Sequence, residues 1–566
     1  MHFEKNSAKW ADFLADEFVY GIWIYRHIPS QPDSPENHAE RAVNVRDYIA
    51  GMIDIVISIL SALFVALHIK YHTSAGSTFL FGVIVFTASL TLLPFLLPIC
   101  GIFAIYRQYV KKQLEKQPGF KGLMDGSDAY WAGEQVYARS IITCLLFIDF
   151  GKQSRDEQKH IEVLRENTKY VIDSASYKMK CKKRLSKFGY WYLEECDIDL
   201  NKITRHIDLE LRDKADLEEY ASKIANEPII EDYLWEILVG RQEVNGAYPV
   251  FVRADHSLGD GYALVRLFVD YMSDKQETMV HKFVKADSVF QRLVNGDYRK
   301  MVVRVICLFL NHIVTFINIS IVLARNLLSP IDSSASENSL HSRIYLSGKK
   351  VCRYMDMELE FVKEVKNSLN VRFSDVLLTA VSNSLESCFE KWGGTVDRMG
   401  AVIPARLPIP LTSLTNLFTV VLLDLPITGK DKLETIHVAQ ERYRASPEFH
   451  VNYWVLQFAF TIFPATFISK YFVSTRSSLL ISNVQGAEEH IIVRGSVVTD
   501  MAFFLPNRDT TGVGISFLSY ADRFSIGVIV DESLIASSEQ VDEILRGIFQ
   551  SINEMHRSHE RNSVKP

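Results

Sequence analysis

Three residues, His256, Asp260 and Gly261, are spaced so that they could run acid–base chemistry in the stretch PVFVRADHSLGDGYALVRLFVDYM, residues 249–272. An imidazole with its ordinary pKa of about 6.5 takes a proton near neutral pH, which makes His256 a candidate general base. A carboxylate four residues on can fix the loop, and a glycine after it lets the turn close. The same residues would also suit a polar connection between two buried elements. Whether His256 is held rigidly decides between these readings, and that depends on its flanks.

Those flanks predict a sharp, ordered turn. Tyr248, Val250, Val252 and Ala254 recur at the period of a strand, and Asn245-Gly246 predicts a hairpin back to the apolar run at 234–239. Downstream, Leu264, Leu267, Phe268 and Tyr271 follow the spacing of an amphipathic helix. Asp260 is placed to cap that helix, and Gly259 and Gly261 allow close backbone approach. On a strand, neighbouring side chains point to opposite faces, so a His256 that faces a reaction site turns Asp255 away from it.

The whole chain narrows the function classes. Its 566 residues suffice for two or three domains, and its net charge of −6, without a long basic run, gives no support for a nucleic-acid partner. Seven scattered cysteines show no paired spacing, which argues against a disulfide framework and a zinc site; no metal is expected. No GxSxG elbow is present, so a serine nucleophile is not indicated.

Residues 1–48 are polar and aromatic, and two apolar stretches follow at 49–69 and 79–106, each long enough for a membrane helix. Pro94 and Pro98 predict a kink in the second. Arg41 and Arg46 precede the pair, and Arg107, Lys111, Lys112, Lys116 and Lys121 follow it, so a hairpin at 49–107 with both flanks cytosolic is expected. Two further apolar stretches, 302–328 and 453–472, carry polar residues and do not read cleanly as spans; 302–328 is expected to lie in the membrane interface or to pack under the enzyme. The polar segment 330–343 reads as a linker.

Several motifs appear in an order that resembles the wax ester synthase/acyl-CoA:diacylglycerol acyltransferase family. They are GLMDGSDAYW (122–131), WYLEECDIDLNKITRHI (191–207), EDYLWEILV with Trp235, ADHSLGDG (254–261), FSDVLLTAVSNSL with Asp375, ISNVQGAEEHI with Ser482, Asn483 and Gly486, and ISFLSYADRFSIGVIVD (515–531). The sequence departs from the family at Asp255 (first histidine of the motif), Ser374 (asparagine) and Gln485 (proline), and lacks a proline near 232–233. The resemblance implies an α/β fold of two lobes, each a mixed sheet with helices, over about 120–300 and 346–560, behind the helical hairpin and joined by the apolar segment and linker at 301–345.

The resemblance also implies a reaction. A long-chain acyl group would pass from acyl-CoA, a co-substrate with no permanently bound cofactor, to a fatty alcohol or diacylglycerol, in a protein in contact with membrane lipids. His256 would be the base, Asp260 would fix the loop through an arginine or backbone partner, and Ser482 and Asn483 are oxyanion or tunnel candidates. Asp375, Trp235 and Gly486 would serve structure. A cytosol-facing membrane enzyme, in the endoplasmic reticulum, is expected. The competing reading is a lipid-binding or scaffolding protein that keeps the fold without turnover, and the departures from the family motivate it.

Overall fold

Both edges of the strand that leads to His256 are paired, because it lies inside a six-stranded sheet, and nearly all of its residues are buried. The structure, a computed structural model, describes residues 75–134, 137–151, 157–274, 338–341, 346–406, 414–444, 448–469 and 477–563. The chain divides into two compact units: Met1–Ile105 with Met279–Ser329 and Arg442–Val451, and Tyr106–Thr278 with Pro330–Glu441 and Asn452–Pro566. The second unit contains both six-stranded sheets and the histidine loop. The apolar stretches at 49–69 and 302–328 lie outside the described residues. The one at 79–106 falls within α1 (Ala75–Leu114), which runs unbroken through Pro94 and Pro98. Among the described residues no helix is long and apolar enough to cross a membrane, so the expected hairpin is not shown.

The first lobe follows in chain order as β1 (Phe120–Leu123), α2 (Gly126–Ala132), β2 (Ile141–Asp149), α3 (Glu157–Ser174), β3 (Cys181–Leu185), β4 (Trp191–Glu195), β5 (Thr204–His206), α4 (Lys214–Ile224), β6 (Trp235–Val239), β7 (Tyr248–Asp255) and α5 (Gly261–Leu267). The turn between β6 and β7 has positive φ at both Asn245 and Gly246, the geometry that matches the twist of a tight hairpin. Asp260 caps α5 by accepting from the Ala263 N–H at 2.8 Å. One detail departs from simple helical periodicity. Residues Phe268–Met272 form a π-turn, whose wider winding shifts the buried stripe, so Met272 is enclosed while Tyr271 is half-buried.

The second half of the chain, which supplies the second lobe, contains β8 (Lys350–Glu358), α6 (Leu359–Ser368), α7 (Phe373–Lys391), β9 (Arg398–Arg406), β10 (Phe418–Pro426), α8 (Lys432–Arg444), α9 (Glu448–Ile462), β11 (Leu479–Gln485), β12 (Ile492–Val493), β13 (Ser496–Phe504), β14 (Val513–Tyr520), β15 (Arg523–Asp531) and α10 (Glu539–Ser563), and the second lobe's sheet is built within it. Its six-stranded sheet runs β10-β9-β11-β14-β15-β8, with β11 parallel to both neighbours and the other pairs antiparallel. The aromatic-rich stretch beginning at 453 is a core helix: Tyr453, Ala459, Phe460 and Ile462 on α9 are buried, and Gln457 donates to Ser127 Oγ at 2.8 Å.

The lobes are not contiguous stretches of chain. Strands β12 and β13 come from the second half but complete the first sheet, whose order is β12-β13-β2-β7-β6-β5. β13 runs antiparallel to β2 from Val497 opposite Asp149 to Phe504 opposite Thr143. The first lobe therefore extends beyond 120–300. One apolar cluster reflects this, combining Ile141, Val250 and Leu258 with Phe460, Met501 and Leu518.

Close backbone approach locks the exchanged strand in place. The Ser516 hydroxyl on β14 donates to the Phe503 carbonyl on β13, and a Cβ on Gly527 of β15 would meet that same carbonyl oxygen at 2.5 Å. Gly527→Ala is therefore expected to destabilise the fold by about 1–3 kcal/mol, the usual cost of overpacking a core. Denaturant or thermal melting checks this; an unchanged midpoint would mean that the strands separate without cost.

Candidate active site

His256 sits at the end of β7, 8 % exposed, with its backbone N–H donating to the Ser140 carbonyl at 2.7 Å. Its ring meets a residue 160 positions away: Nδ1 lies 3.0 Å from Asn416 Oδ1. The orientation of that amide follows from its other contacts. Asn416 Nδ2 faces two groups that only accept, the Asp128 carboxylate at 2.8 Å and the His256 carbonyl at 2.7 Å. The nitrogen must therefore donate to both, leaving Oδ1 to accept from Nδ1–H. His256 Nε2 makes no hydrogen bond among the described residues. The site thus presents a neutral imidazole with its basic nitrogen free.

Asp128, on α2, anchors this arrangement. Its Oδ1 also accepts from the Asn416 backbone N–H at 3.0 Å, and its Oδ2 pairs with Lys178 Nζ at 2.6 Å. The same ammonium lies 3.4 Å from the carbonyls of Ser257 and Leu258, so one buried lysine ties α2 to the histidine loop. None of these polar groups is left to compete with the base for water.

Burial dominates the electrostatics. It pushes the His256 pKa down from 6.5 to about 4, while the hydrogen bond to Asn416 and the Asp128 charge pull the other way. The ordinary imidazole pKa assumed from sequence is therefore corrected. Asp255 points to the opposite face, where Oδ2 pairs with Lys183 at 2.5 Å and Oδ1 accepts from the Ser257 N–H at 2.9 Å. The carboxylate that stands where the family has a histidine has its own cation, and Lys183 also reaches Glu134 at 2.6 Å.

The imidazole is roofed by aromatic rings. Trp131 stacks on it with centroids 4.0 Å apart and planes 9° apart, and Phe418 leans in at 5.6 Å. Above this layer the Arg508 guanidinium lies 3.8 Å from the Tyr130 ring centre and 5.3 Å from that of Trp131.

The other expected residues take distinct places. Gly261 opens α5, where a Cβ would meet Val484 Cγ2 at 3.3 Å, so β11 runs directly against the histidine loop. Ser482 shares the Val484 face of that strand and is buried, whereas Asn483 lies on the opposite face and is exposed. No hydrogen bond joins either to His256 among the described residues. Gly486 approaches Ser519 closely enough that a Cβ would meet its carbonyl oxygen at 2.6 Å. The Trp235 indole donates to the Met179 carbonyl at 3.2 Å in the first-lobe core. Asp375 is fully buried at the start of α7, where it accepts from the Arg372 N–H at 3.0 Å and from His437 Nδ1 at 2.7 Å on α8. That hydrogen bond raises the His437 pKa.

Sequence reasoning missed Asn416, Asp128, Lys178 and Trp131. Asp128 and Trp131 stand in the GLMDGSDAYW segment that carried part of the family resemblance, but Asn416 lies in no such segment, and only the fold brings it to the ring.

The chain is similar in sequence and fold to several known proteins. Residues 414–556 match the family model described as WS/DGAT C-terminal domain. A putative diacylglycerol O-acyltransferase of Mycobacterium tuberculosis is 21% identical over 398 residues, covering 64% of this chain and 81% of the relative. A second protein of that organism, a probable diacylglycerol O-acyltransferase, is 22% identical over 341 residues, 56% of this chain and 70% of its own. Among solved structures, the wax ester synthase/diacylglycerol acyltransferase from Marinobacter aquaeolei VT8 superposes with a TM-score of 0.50 at 15% identity, over 77% of this chain and 100% of that one. The fold is the two-lobed acyltransferase type, built on two mixed sheets. Within that class, the chain is similar to wax ester synthase/diacylglycerol acyltransferase proteins, most directly over residues 414–556.

Asp260 gives the sharpest local test. Its Oδ2 accepts from the Leu417 N–H at 2.8 Å while Oδ1 caps α5, so among the described residues it holds the loop through backbone partners, one of the two expected ways, with the Arg406 charge acting on it as well. Burial nonetheless raises its pKa against both hydrogen bonds. Asp260→Asn keeps one acceptor and turns an NH₂ toward a backbone donor, which leaves that buried donor unmet at about 1–3 kcal/mol. Because Leu417 follows Asn416, turnover should fall together with the melting temperature. Full activity with unchanged melting would contradict the loop-anchor role.

Proposed function

We propose that this protein transfers a long-chain acyl group from acyl-CoA to the hydroxyl of diacylglycerol or a fatty alcohol. The observation that carries the reading is the buried His256, held through Nδ1 by Asn416 while Nε2 makes no hydrogen bond among the described residues. The names of the relatives support the acceptor class, since the matched proteins are called diacylglycerol O-acyltransferases and a wax ester synthase. The thioester is already activated, so a direct attack needs only a base, a stabilised oxyanion and little water.

In this mechanism Nε2 takes the hydroxyl proton as the alcohol oxygen attacks the thioester carbon. The imidazolium that forms is stabilised by Asn416 Oδ1 and, through the amide, by the Asp128 charge. The proton then passes to the departing thiolate, releasing CoA and the ester. Anchoring in the endoplasmic reticulum membrane with the lobes on the cytosolic side belongs to the same proposal. It is supported by Phe95, Ile99, Ile102, Ile105 and Tyr109, which are exposed along one stretch of α1, with Lys111 and Lys112 at its end.

The test is an acyl-transfer assay from pH 4 to pH 8 with long-chain acyl-CoA and a panel of diacylglycerol, fatty alcohols and amines, comparing the protein with His256→Ala. Because burial lowers the His256 pKa to about 4, the base stays unprotonated across the usual range, and the acid limb of kcat/KM should fall near pH 4 instead of 6.5. His256→Ala should abolish transfer while leaving abundance unchanged. Retained turnover in that variant would refute the general-base role, and absence of transfer by the unmutated protein to every acceptor would favour the lipid-binding or scaffolding reading.

A further inference from the structure

Among the described residues two buried N–H groups near the imidazole have no acceptor, Trp131 Nε1 and Arg508 Nε. A buried donor left unmet is costly, and the cost is recovered where a substrate brings the acceptor. Arg508 is partly answered within the protein: another of its nitrogens donates to the Tyr130 carbonyl at 3.1 Å, and Nε lies 3.9 Å from the Asp509 carboxylate. Trp131 is not. Its indole is 8 % exposed and lies parallel to the His256 ring, one ring thickness away.

An indole N–H can only donate, and its direction is fixed once the ring is packed. The Ser482 hydroxyl, by contrast, rotates and can also accept. The stack sets the indole directly over the imidazole, so a carbonyl that reacts beside Nε2 comes up against the same pair of rings. We infer that Trp131 is a catalytic residue, and that its indole N–H donates to the thioester carbonyl oxygen as that oxygen becomes an oxyanion. This rests on the acyl-transfer reading of the same site.

In the addition step the alcohol oxygen bonds to the thioester carbon, its proton moves to His256 Nε2, and the carbonyl π pair moves onto the oxygen that Trp131 N–H then holds. On collapse the C=O bond re-forms, the C–S bond breaks, and the thiolate takes the proton from the imidazolium.

Replacing Trp131 with Phe, or with benzothienylalanine, which keeps the bicyclic shape and lacks only the N–H, tests the donor apart from the stack. Both should lower kcat by roughly 10²- to 10³-fold, the usual effect of losing one oxyanion donor, with little change in KM, melting or the acid limb of the pH profile. Full kcat in the benzothienylalanine protein would overturn the inference and leave Trp131 as a packing residue. A second measurement does not depend on turnover: the Trp131 indole ¹⁵N–¹H signal, assigned by its loss in Trp131→Phe, followed with two non-reactive CoA thioethers. S-(2-oxoalkyl)-CoA, which carries a carbonyl, should move the proton downfield, and S-alkyl-CoA, which has none, should not. Equal shifts with both, or none with either, would refute the contact even if acyl transfer itself failed to appear.

Discussion

One side chain amide joins the two halves of the chain at His256. Asn416 gives both of its N–H bonds to acceptors, one on α2 and one on the backbone of His256 itself, and so has only its oxygen left for the ring. The tautomer of the histidine is thereby a consequence of Asp128, a residue that never touches the ring by any hydrogen bond in the site. Asp260 reinforces the joint from the other side, binding the backbone of Leu417 next to Asn416. Loop, helix cap and second-lobe segment are positioned by the same few polar bonds.

Burial makes those bonds effective and imposes their main cost. In a low-dielectric site an unpaired polar group is penalised heavily, and nearly every polar group around His256 is matched, from Lys178 on the loop carbonyls to Lys183 on Asp255. The same burial disfavours the charged imidazole, lowering its pKa to about 4. A weaker base accepts a proton less readily, so in the proposed mechanism the imidazolium has to be stabilised specifically, which the Asn416–Asp128 pair is placed to do. The stack of Trp131 over the ring keeps bulk water away in the meantime.

Much of the local structure around the histidine was legible in the sequence because short-range rules govern it. The hairpin at Asn245-Gly246, the strand ending at Asp255 and the Asp260 cap each depend on a few neighbouring residues with strong conformational preferences. The opposite facing of Asp255 followed from strand geometry alone, although its lysine partner did not. What could not be read was long-range. Nothing in the residues near 416 marks them as the partner of a loop 160 positions earlier, and nothing in SVVTDMAFF announces that β13 completes the sheet of the other lobe. The π-turn after α5 was also hidden, since its residues suit an ordinary helix equally well. The downward shift at His256 escaped notice because a pKa depends on how deeply the finished fold encloses a group.

The most direct measurement is the ring ¹⁵N spectrum of His256 in protein labelled with ¹⁵N-histidine, assigned by comparison with His256→Ala and recorded between pH 6 and 8. A neutral ring with Nδ1 protonated and Nε2 bare across that range is the predicted result, and Asp128→Asn combined with Asn416→Leu should release it to a mixture of tautomers. A ring protonated at Nε2, averaged between tautomers, or carrying both protons near pH 6 in the unmutated protein would contradict the arrangement on which the proposed chemistry depends.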